Sequence, residues 1–319
     1  MMVGYNPKED VHLSHIEHAA AGAFSGAVTR TLFQPLDVLK IRFQLQVEPL
    51  KPSSLSKYHG MIQAVGCIVR DEGIKALWKG HIPAQVLSVV YGVGQYGCFE
   101  ILTEEVWRHF PEALTTIYRP LTHSICGGLS GCVATTIIHP VDVIRTRFVA
   151  QGEPKIYNSM LSAVQTILKE EGVRGFYRGL LPAVAQVGPQ MGFQFGFYTA
   201  FTGLWNSSLG LWPETPPESM QSLVCGIGSG SISKLIVYPL DVVKKRLQVQ
   251  GFEKARQPFG AVRGYNGLYH CLRVSVREEG FNCLYKGLRP SILKSALVAG
   301  ANFSIYEQAC AALSYHHNS

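Results

Sequence analysis

Charge is what this sequence has least of. Asp, Glu, Lys and Arg make up 16% of its 319 residues, against about 25% in an average soluble domain. Few charges and many apolar residues exclude a disordered, solvated chain. Paired cysteines are missing too: the eight cysteines are scattered with no C-x-x-C, which excludes a zinc ribbon and argues for free thiols in a reducing compartment, not a disulfide scaffold. There is no P-loop, G-x-S-x-G, H-E-x-x-H or paired-carboxylate constellation, so an enzyme is not expected, and lone histidines such as His59 and His139 read as structural. The basic residues never gather into one stripe, which argues against a nucleic-acid partner. The amino-terminal M-M-V-G-Y-N-P-K-E-D carries acids and no Arg-rich or signal-peptide pattern, so any targeting is expected to be internal.

What is present is apolar sequence in long stretches. Residues 80–99, 120–141 and 179–213 contain no full charge, and each is long enough to cross a hydrocarbon core of about 30 Å as helix. Three more apolar segments qualify apart from one cation each: 18–34 around Arg30, 219–239 around Lys234 and 290–306 around Lys294. Six spans are therefore expected. The mean hydropathy of only +0.11 and a net charge of +7 show that these spans are not uniformly greasy. A soluble helical-repeat scaffold would explain periodicity, but not such long uncharged runs.

The segments repeat. P-L-D-V-L-K-I-R starts at Pro35, P-V-D-V-I-R-T-R at Pro140 and P-L-D-V-V-K-K-R at Pro239, at offsets of 105 and 99 residues. E-G-I-K-A-L-W-K-G, E-G-V-R-G-F-Y-R-G and E-G-F-N-C-L-Y-K-G follow, ending at Gly80, Gly179 and Gly287. The small-x-x-x-small pairs Gly22/Gly26, Gly127/Gly131 and Gly226/Gly230 precede each proline at the same offsets, and such pairs let helices approach closely in lipid. Three repeats, 1–115, 116–213 and 214–319, thus form one integrated transmembrane domain. Each reads as a span, a shorter amphipathic helix (58–71, 157–170, 265–278) ended by the E-G glycine, and a second span. The prolines fall inside apolar helices, where each removes a backbone hydrogen bond and bends the helix. Asp37, Asp142 and Asp241 then stand three residues before Lys40, Arg145 and Lys244, a spacing that permits pairing within one helix, whereas pairing between helices around a three-fold axis would close a ring.

P-x-D-x-x-[KR]-x-[KR] and E-G-x-x-x-x-[WY]-[KR]-G, each three times and in register, resemble the signature of the mitochondrial carrier family over nearly the whole chain. The resemblance implies an all-α, multi-pass protein of the mitochondrial inner membrane, with six tilted transmembrane helices in a three-fold pseudosymmetric barrel and three short matrix helices. Prolines would lie on the matrix side and both termini in the intermembrane space. It also implies a matrix gate in which Asp37 pairs with Arg145, Asp142 with Lys244 and Asp241 with Lys40. Gln44 and Gln248, nine residues past their prolines, resemble the family's glutamine braces, and Val149 leaves repeat 2 without one. The cytoplasmic gate departs from the family pattern of aromatic, acid and base. F-E-I-L-T at Phe99, Y-T-A-F-T at Tyr198 and Y-E-Q-A-C at Tyr306 leave Glu100 and Glu307 without a basic partner. Glu100, Tyr198 and Glu307 are thus expected to form only a weak lock of hydrogen bonds, biasing the free protein toward the outward-open state.

Arg30 and Lys234 each stand five residues before their proline, where repeat 2 has Thr135, and Lys294 stands seven residues past Gly287, where repeats 1 and 2 have Leu87 and Gln186. A lone cation near a span end can snorkel to a headgroup, but three at comparable depth with no intramembrane acid are unfavourable unless an anion joins them. The expectation is an anion site, with Arg30 gripping phosphate bidentately and two lysines as point charges. Ser88, Tyr91 and Gln95, and Gln186, Gln190 and Gln194, recur at helical spacing, and Asn302 is the repeat-3 counterpart of Gln95 and Gln194. Such polar stripes either pack helices or line a wet path, and they are assigned here to orienting substrate. Tyr91 and Phe303 offer rings to a heterocycle. Loop segments such as W-K-G-H-I-P-A-Q-V-L-S at Trp78, Q-G-E-P-K-I-Y-N at Gln151 and G-F-E-K-A-R-Q-P-F-G at Gly251 narrow the resemblance to family members that carry thiamine diphosphate. This implies import of that anion into the matrix in exchange for nucleotides, by alternating access. A nucleotide or coenzyme A carrier is the alternative, since those ligands also offer phosphates and a flat base. No cofactor or metal is implied. The W-K-G, Y-R-G and Y-K-G turns resemble the family's cardiolipin sites, and the protein is expected to act as a monomer in contact with membrane lipid.

Overall fold

A computed structural model describes residues 15–50, 56–109, 119–208, 219–252 and 263–318. The amino-terminal reading, residues 209–213 of the third uncharged run and residues 253–260 of the Gly251 segment lie outside the described residues. Among the described residues there are nine α-helices and no strand: α1 (His15–Leu45), α2 (Met61–Glu72), α3 (His81–His109), α4 (Arg119–Ala150), α5 (Met160–Glu170), α6 (Leu180–Ser208), α7 (Ser219–Gln248), α8 (Leu268–Glu279) and α9 (Leu288–Asn318). Each repeat is a long helix, a short helix, a five-residue 3-10 turn and a second long helix. At 1.5 Å per residue, the long helices of 29–32 residues reach about 43–48 Å, enough to cross a bilayer at a tilt.

The six long helices close on themselves in the order α1, α3, α4, α6, α7, α9 and back to α1, with the closest neighbours being α3/α4, α6/α7 and α9/α1 from consecutive repeats. Side chains such as Ile82, Val89, Val93 and Leu204 are exposed on these helices, as a lipid-facing surface requires. The stretches Ile74–His109, Ile125–Ala150 and Met220–Gln248 meet a membrane-span threshold on hydropathy. The last of these is α7, not the longer uncharged run of α6. Absence of charge is not hydropathy: Gln186, Gln190 and Gln194 dilute α6, whereas a single lysine does not cancel the aliphatic residues of α7.

The packed core sits at the proline end. Val38, Ile41, Tyr58, Ala64 and Ile68 form one buried cluster, Ile144, Tyr157, Ala163 and Ile167 a second, and Val243, Leu247, Tyr265 and Cys271 a third. The short helices begin about three residues later than the sequence predicts, at Met61, Met160 and Leu268. The preceding tyrosines are held in extended loop instead: Gln46 accepts from Tyr58 N at 3.0 Å and donates to Tyr58 O at 2.8 Å, and Gln151 repeats this clamp on Tyr157. The E-G glycines stop the short helices with positive φ, +82° at Gly73, +66° at Gly172 and +80° at Gly280.

The glycine pairs do not do what their spacing suggests. A methyl added at Gly22, Gly26, Gly226 or Gly230 would meet nothing within 4 Å among the described residues, and only Gly131 lies tight, against Val187 at 2.8 Å. The first, fourth and seventh helices converge at the prolines, not at the glycines. Close approach is needed at the K-G and R-G glycines: a Cβ on Gly80, Gly179 or Gly287 would meet the carbonyl oxygen of Arg145, Lys244 or Lys40 at 3.1, 2.9 or 2.7 Å.

Candidate functional site

The helices α1, α4 and α7 continue past Pro35, Pro140 and Pro239, and these continuations bring the three aspartates and their following bases together. Arg145 Nη2 lies 2.6 Å from Asp37 Oδ2, Lys244 Nζ 2.8 Å from Asp142 Oδ2 and Lys40 Nζ 2.7 Å from Asp241 Oδ2. Every pair joins two helices, so the three form a closed ring. Gln44 Nε2 donates to Asp241 Oδ2 at 2.8 Å and Gln248 Nε2 to Asp142 Oδ2 at 2.8 Å, while Val149 is fully buried without a polar side chain.

The ring is not three-fold in its charge. Lys245 occupies the place of Ile41 and Thr146, and its Nζ donates to Asp142 Oδ1 at 2.9 Å, Thr146 Oγ1 at 2.9 Å and Gln248 Oε1 at 3.0 Å. Lys294 is not the free cation its apolar surroundings suggest: its Nζ lies 2.7 Å from both Asp37 oxygens. The acid was missed because α9 and α1 come from opposite ends of the chain and meet only when the barrel closes. Arg30 and Lys234 do lack an acidic partner among the described residues. Arg30 Nη1 donates to Ala84 O at 3.2 Å, and Lys234 Nζ to Ser291 O at 3.2 Å and Ser295 Oγ at 2.8 Å.

A second layer lies below the ring, built from residues the sequence reading left unused. The last base of each proline motif grips the E-G glutamate of its own repeat through two nitrogens: Arg42 holds Glu72, Arg147 holds Glu171 and Arg246 holds Glu279, with second contacts at 2.7, 3.0 and 2.8 Å. The Nε of each arginine reaches into the next repeat, donating to Val149 O, Gln248 O and Gln44 O at 3.3, 3.1 and 3.2 Å. The K-G and R-G bases join the same glutamates: Lys79 at 2.6 Å, Arg178 at 3.0 Å and Lys286 at 2.6 Å. Burial pushes the Glu72 carboxyl up, but the hydrogen bond and charge of Arg42, with those of Lys79, outweigh it and hold the group below its ordinary range. Burial likewise pushes the Tyr58 hydroxyl up to about 12. The signal for this layer was in the sequence, since the second base and the glutamate each recur three times.

Residues before the prolines share one task despite differing chemistry. Gln34 Nε2 donates to Lys79 O at 3.2 Å, His139 Nε2 lies 3.0 Å from Arg178 O and Tyr238 OH donates to Lys286 O at 3.2 Å. His139 is thus a helix-to-turn tie, a structural role.

Toward the other end the polar stripes divide. Gln186 Nε2 donates to Gln190 Oε1 at 3.3 Å along α6, Gln194 is exposed and Ser88, Tyr91 and Gln95 are half-buried on α3. Tyr91 bonds Thr135. Asn302 Oδ1 accepts from Ser25 Oγ at 2.8 Å, so its oxygen is spent on packing α1 to α9. Phe303 is exposed. Glu100 and Glu307 are exposed and their carboxylates carry no hydrogen bond or ion pair among the described residues, while Thr103 and Thr202 turn back onto carbonyl oxygens of their own helices. Among the described residues the ring of ion pairs lies at the proline end, whereas the ties toward the other end are neutral, such as Gln221 Nε2 to Asn206 Oδ1 at 2.7 Å and His18 Nδ1 with Tyr306 OH at 2.9 Å.

The chain matches the family described as mitochondrial carrier protein over residues 11–110, 118–208 and 215–317. It is 50% identical over 317 residues to the mitochondrial thiamine pyrophosphate carrier of Bos taurus, covering 97% of this chain and 96% of that protein. It is 38% identical over 305 residues to the mitochondrial thiamine diphosphate carrier 2 of Zea mays, covering 90% and 91%. It is also 38% identical over 295 residues to the mitochondrial thiamine pyrophosphate carrier 1 of Coccidioides immitis, covering 91% and 90%.

Proposed function

The chain belongs to the mitochondrial carrier family, and from that premise we propose that it carries thiamine diphosphate across the mitochondrial inner membrane into the matrix, in exchange for nucleotides. It does so by alternating access, with no covalent chemistry. Relatives from an animal, a plant and a fungus bear that cargo in their names. The observation that carries the reading is the pair Arg30 and Lys234, held at one depth inside the barrel by neutral oxygens alone. Two cations in that setting are stabilised by an anion that bridges them, and a diphosphate has the length and charge to do so. Lys294 supplies a third contact from α9. The glutamines of α6 and the Ser88, Tyr91 and Gln95 face orient the pyrimidine and thiazolium rings, with the free amide nitrogen of Asn302 available to them.

The ring of Asp37, Asp142 and Asp241 with Arg145, Lys244 and Lys40 is the matrix gate, braced by Gln44 and Gln248. Glu100, Tyr198 and Glu307, whose side chains make no hydrogen bond to one another, are the open cytoplasmic gate. Cargo bound between them offsets the cost of breaking the ring. Shifting such a gate from 1:99 to 99:1 takes about 5.5 kcal/mol of differential binding, within reach of a desolvated diphosphate held by several cations. Cardiolipin is the bound lipid of this reading. In support, a cavity of about 860 Å³ lies between Gly60 and Met61 at the start of α2 and Gly287 and Leu288 at the start of α9, with Arg263 and Arg289 beside it, and helix N-termini with cations suit lipid phosphates. The closed ring of helices supports a monomer.

A thermal-shift panel on the purified protein tests the cargo, since a ligand of the folded state raises its stability by mass action. Thiamine diphosphate is expected to raise the transition temperature, nucleotides less so. A shift with coenzyme A alone would replace this cargo by the other.

A further inference from the structure

Of the two cations that break the three-fold symmetry of the ring, one is locked and one is within reach. Lys245 is 7% exposed and engaged on three oxygens, Asp142 Oδ1, Thr146 Oγ1 and Gln248 Oε1. Lys294 is 28% exposed, hydrogen-bonds among the described residues only to the two oxygens of Asp37 and has no counterpart in the other repeats, where Leu87 and Gln186 stand. Asp37 Oδ2 is shared: Arg145 Nη2 sits at 2.6 Å from it and Lys294 Nζ at 2.7 Å.

The surroundings of Lys294 point it both ways. Arg30 precedes Asp37 by seven residues, two turns along the same face of α1 and about 10 Å farther from the ring. Lys234 stands equally far above Asp241, and its ammonium is bound to Ser295, the residue after Lys294. An anion gripped by Arg30 and Lys234 therefore sits about two helical turns from Asp37 and from the ammonium that Asp37 holds. A flexible lysine with a compact ammonium changes partners more readily than a forked arginine.

We infer that Lys294 is shared between the gate and the cargo: in the empty carrier it doubles the cation count on Asp37, and an arriving diphosphate draws it away, leaving the α1/α4 corner of the ring to Arg145 alone. This rests on the anion-site reading above and adds to it a route from binding to opening. It also makes the ring open unevenly, because the Asp142 corner keeps both of its lysines while Asp37 is left with one base, as Asp241 is with Lys40.

The consequence to measure is competition. Inorganic pyrophosphate is titrated into the purified carrier by calorimetry. With Asp37→Asn, Lys294 has no rival acid, and pyrophosphate is expected to bind about tenfold tighter. Asp241→Asn removes the same charge from a corner without such a lysine, and should change affinity less than threefold. On a Lys294→Gln background, Asp37→Asn should also change it less than threefold. Equal tightening by the two aspartate variants, or tightening that survives Lys294→Gln, would overturn the sharing. No pyrophosphate binding by the unaltered carrier would overturn the anion site itself and the sharing with it. Should the aspartate variants fail to fold, Lys294→Gln alone decides through the ratio of unexchanged efflux to exchange in proteoliposomes. That ratio should rise at least fivefold if the lysine also latches the gate. If the lysine serves only the cargo, both rates fall together, and an unchanged ratio refutes the latch.

Discussion

Replacing Asp142 by asparagine keeps the shape of the side chain and removes the charge on which two ammonium groups converge. Lys244 and Lys245 lie 2.8 and 2.9 Å from it, with side chains 18% and 7% exposed. Removing one partner of a buried pair costs about 3–5 kcal/mol because the other charge is left uncompensated. Here two are left, and the more buried one, Lys245, keeps only the neutral oxygens of Thr146 and Gln248. Asp241→Asn strands only Lys40, 19% exposed, and a cation better solvated than Lys245 loses less, about 1 kcal/mol. At about 2–4 °C per kcal/mol for a large chain, the expected fall in unfolding temperature is roughly 10 °C for Asp142→Asn and under half that for Asp241→Asn. The assay is thermal unfolding of the purified, cargo-free carrier in detergent. Adding Lys245→Thr, the residue repeat 2 carries at that place, should restore part of the Asp142→Asn loss. Equal losses for the two aspartates, or a further loss on adding Lys245→Thr, would refute the view of Asp142 as a corner loaded by two lysines where Asp241 carries one.

Glu72 makes a pH prediction. Its folded pKa is depressed, so its stabilisation is complete above the ordinary carboxylate value of about 4.3 and is lost as pH falls through the lower folded value. The gap in unfolding temperature between the unaltered protein and Glu72→Gln should therefore be constant near neutrality and close on acidification, and a gap that widens instead would contradict this. Gly287→Ala puts a methyl 2.7 Å from Lys40 O, against 3.1 Å from Arg145 O for Gly80→Ala, and both positions have similar positive φ. Gly287→Ala should then be the more destabilising by about 1–2 kcal/mol, and equal unfolding temperatures would show that the clash is relieved. Single cysteines placed at Glu100 and Glu307 should react rapidly with a membrane-impermeant maleimide in the cargo-free carrier, and protection there would mean that the outer mouth rests closed.

The ring was legible because its residues obey a period: three prolines at offsets of 105 and 99 residues carry their aspartates and bases to one level, and a repeated chain has few ways to satisfy them. Arg30 and Lys234 were legible for the same reason, as two cations at one register. Lys294 was misread as free because its partner, Asp37, is 257 positions away and no local spacing announces the contact. The glycine pairs misled in the opposite direction. Their spacing is that of a close helix crossing, but the prolines and ion pairs set the point of convergence farther along, and a Cβ at Gly22 or Gly226 would meet nothing within 4 Å among the described residues. The arginine–glutamate layer was present in the motifs, and what hid it is that its two halves lie about 30 residues apart, joined only once the short helix folds back.

The central claim is that two cations held by neutral oxygens mark the cargo as a diphosphate carried by exchange. Uptake of labelled thiamine diphosphate by proteoliposomes preloaded with unlabelled thiamine diphosphate or nucleotide tests it most directly. Rapid counter-exchange that Arg30→Gln and Lys234→Gln each reduce at least tenfold is the predicted result. Uptake absent from the unaltered carrier, or undiminished in both variants, would contradict the account.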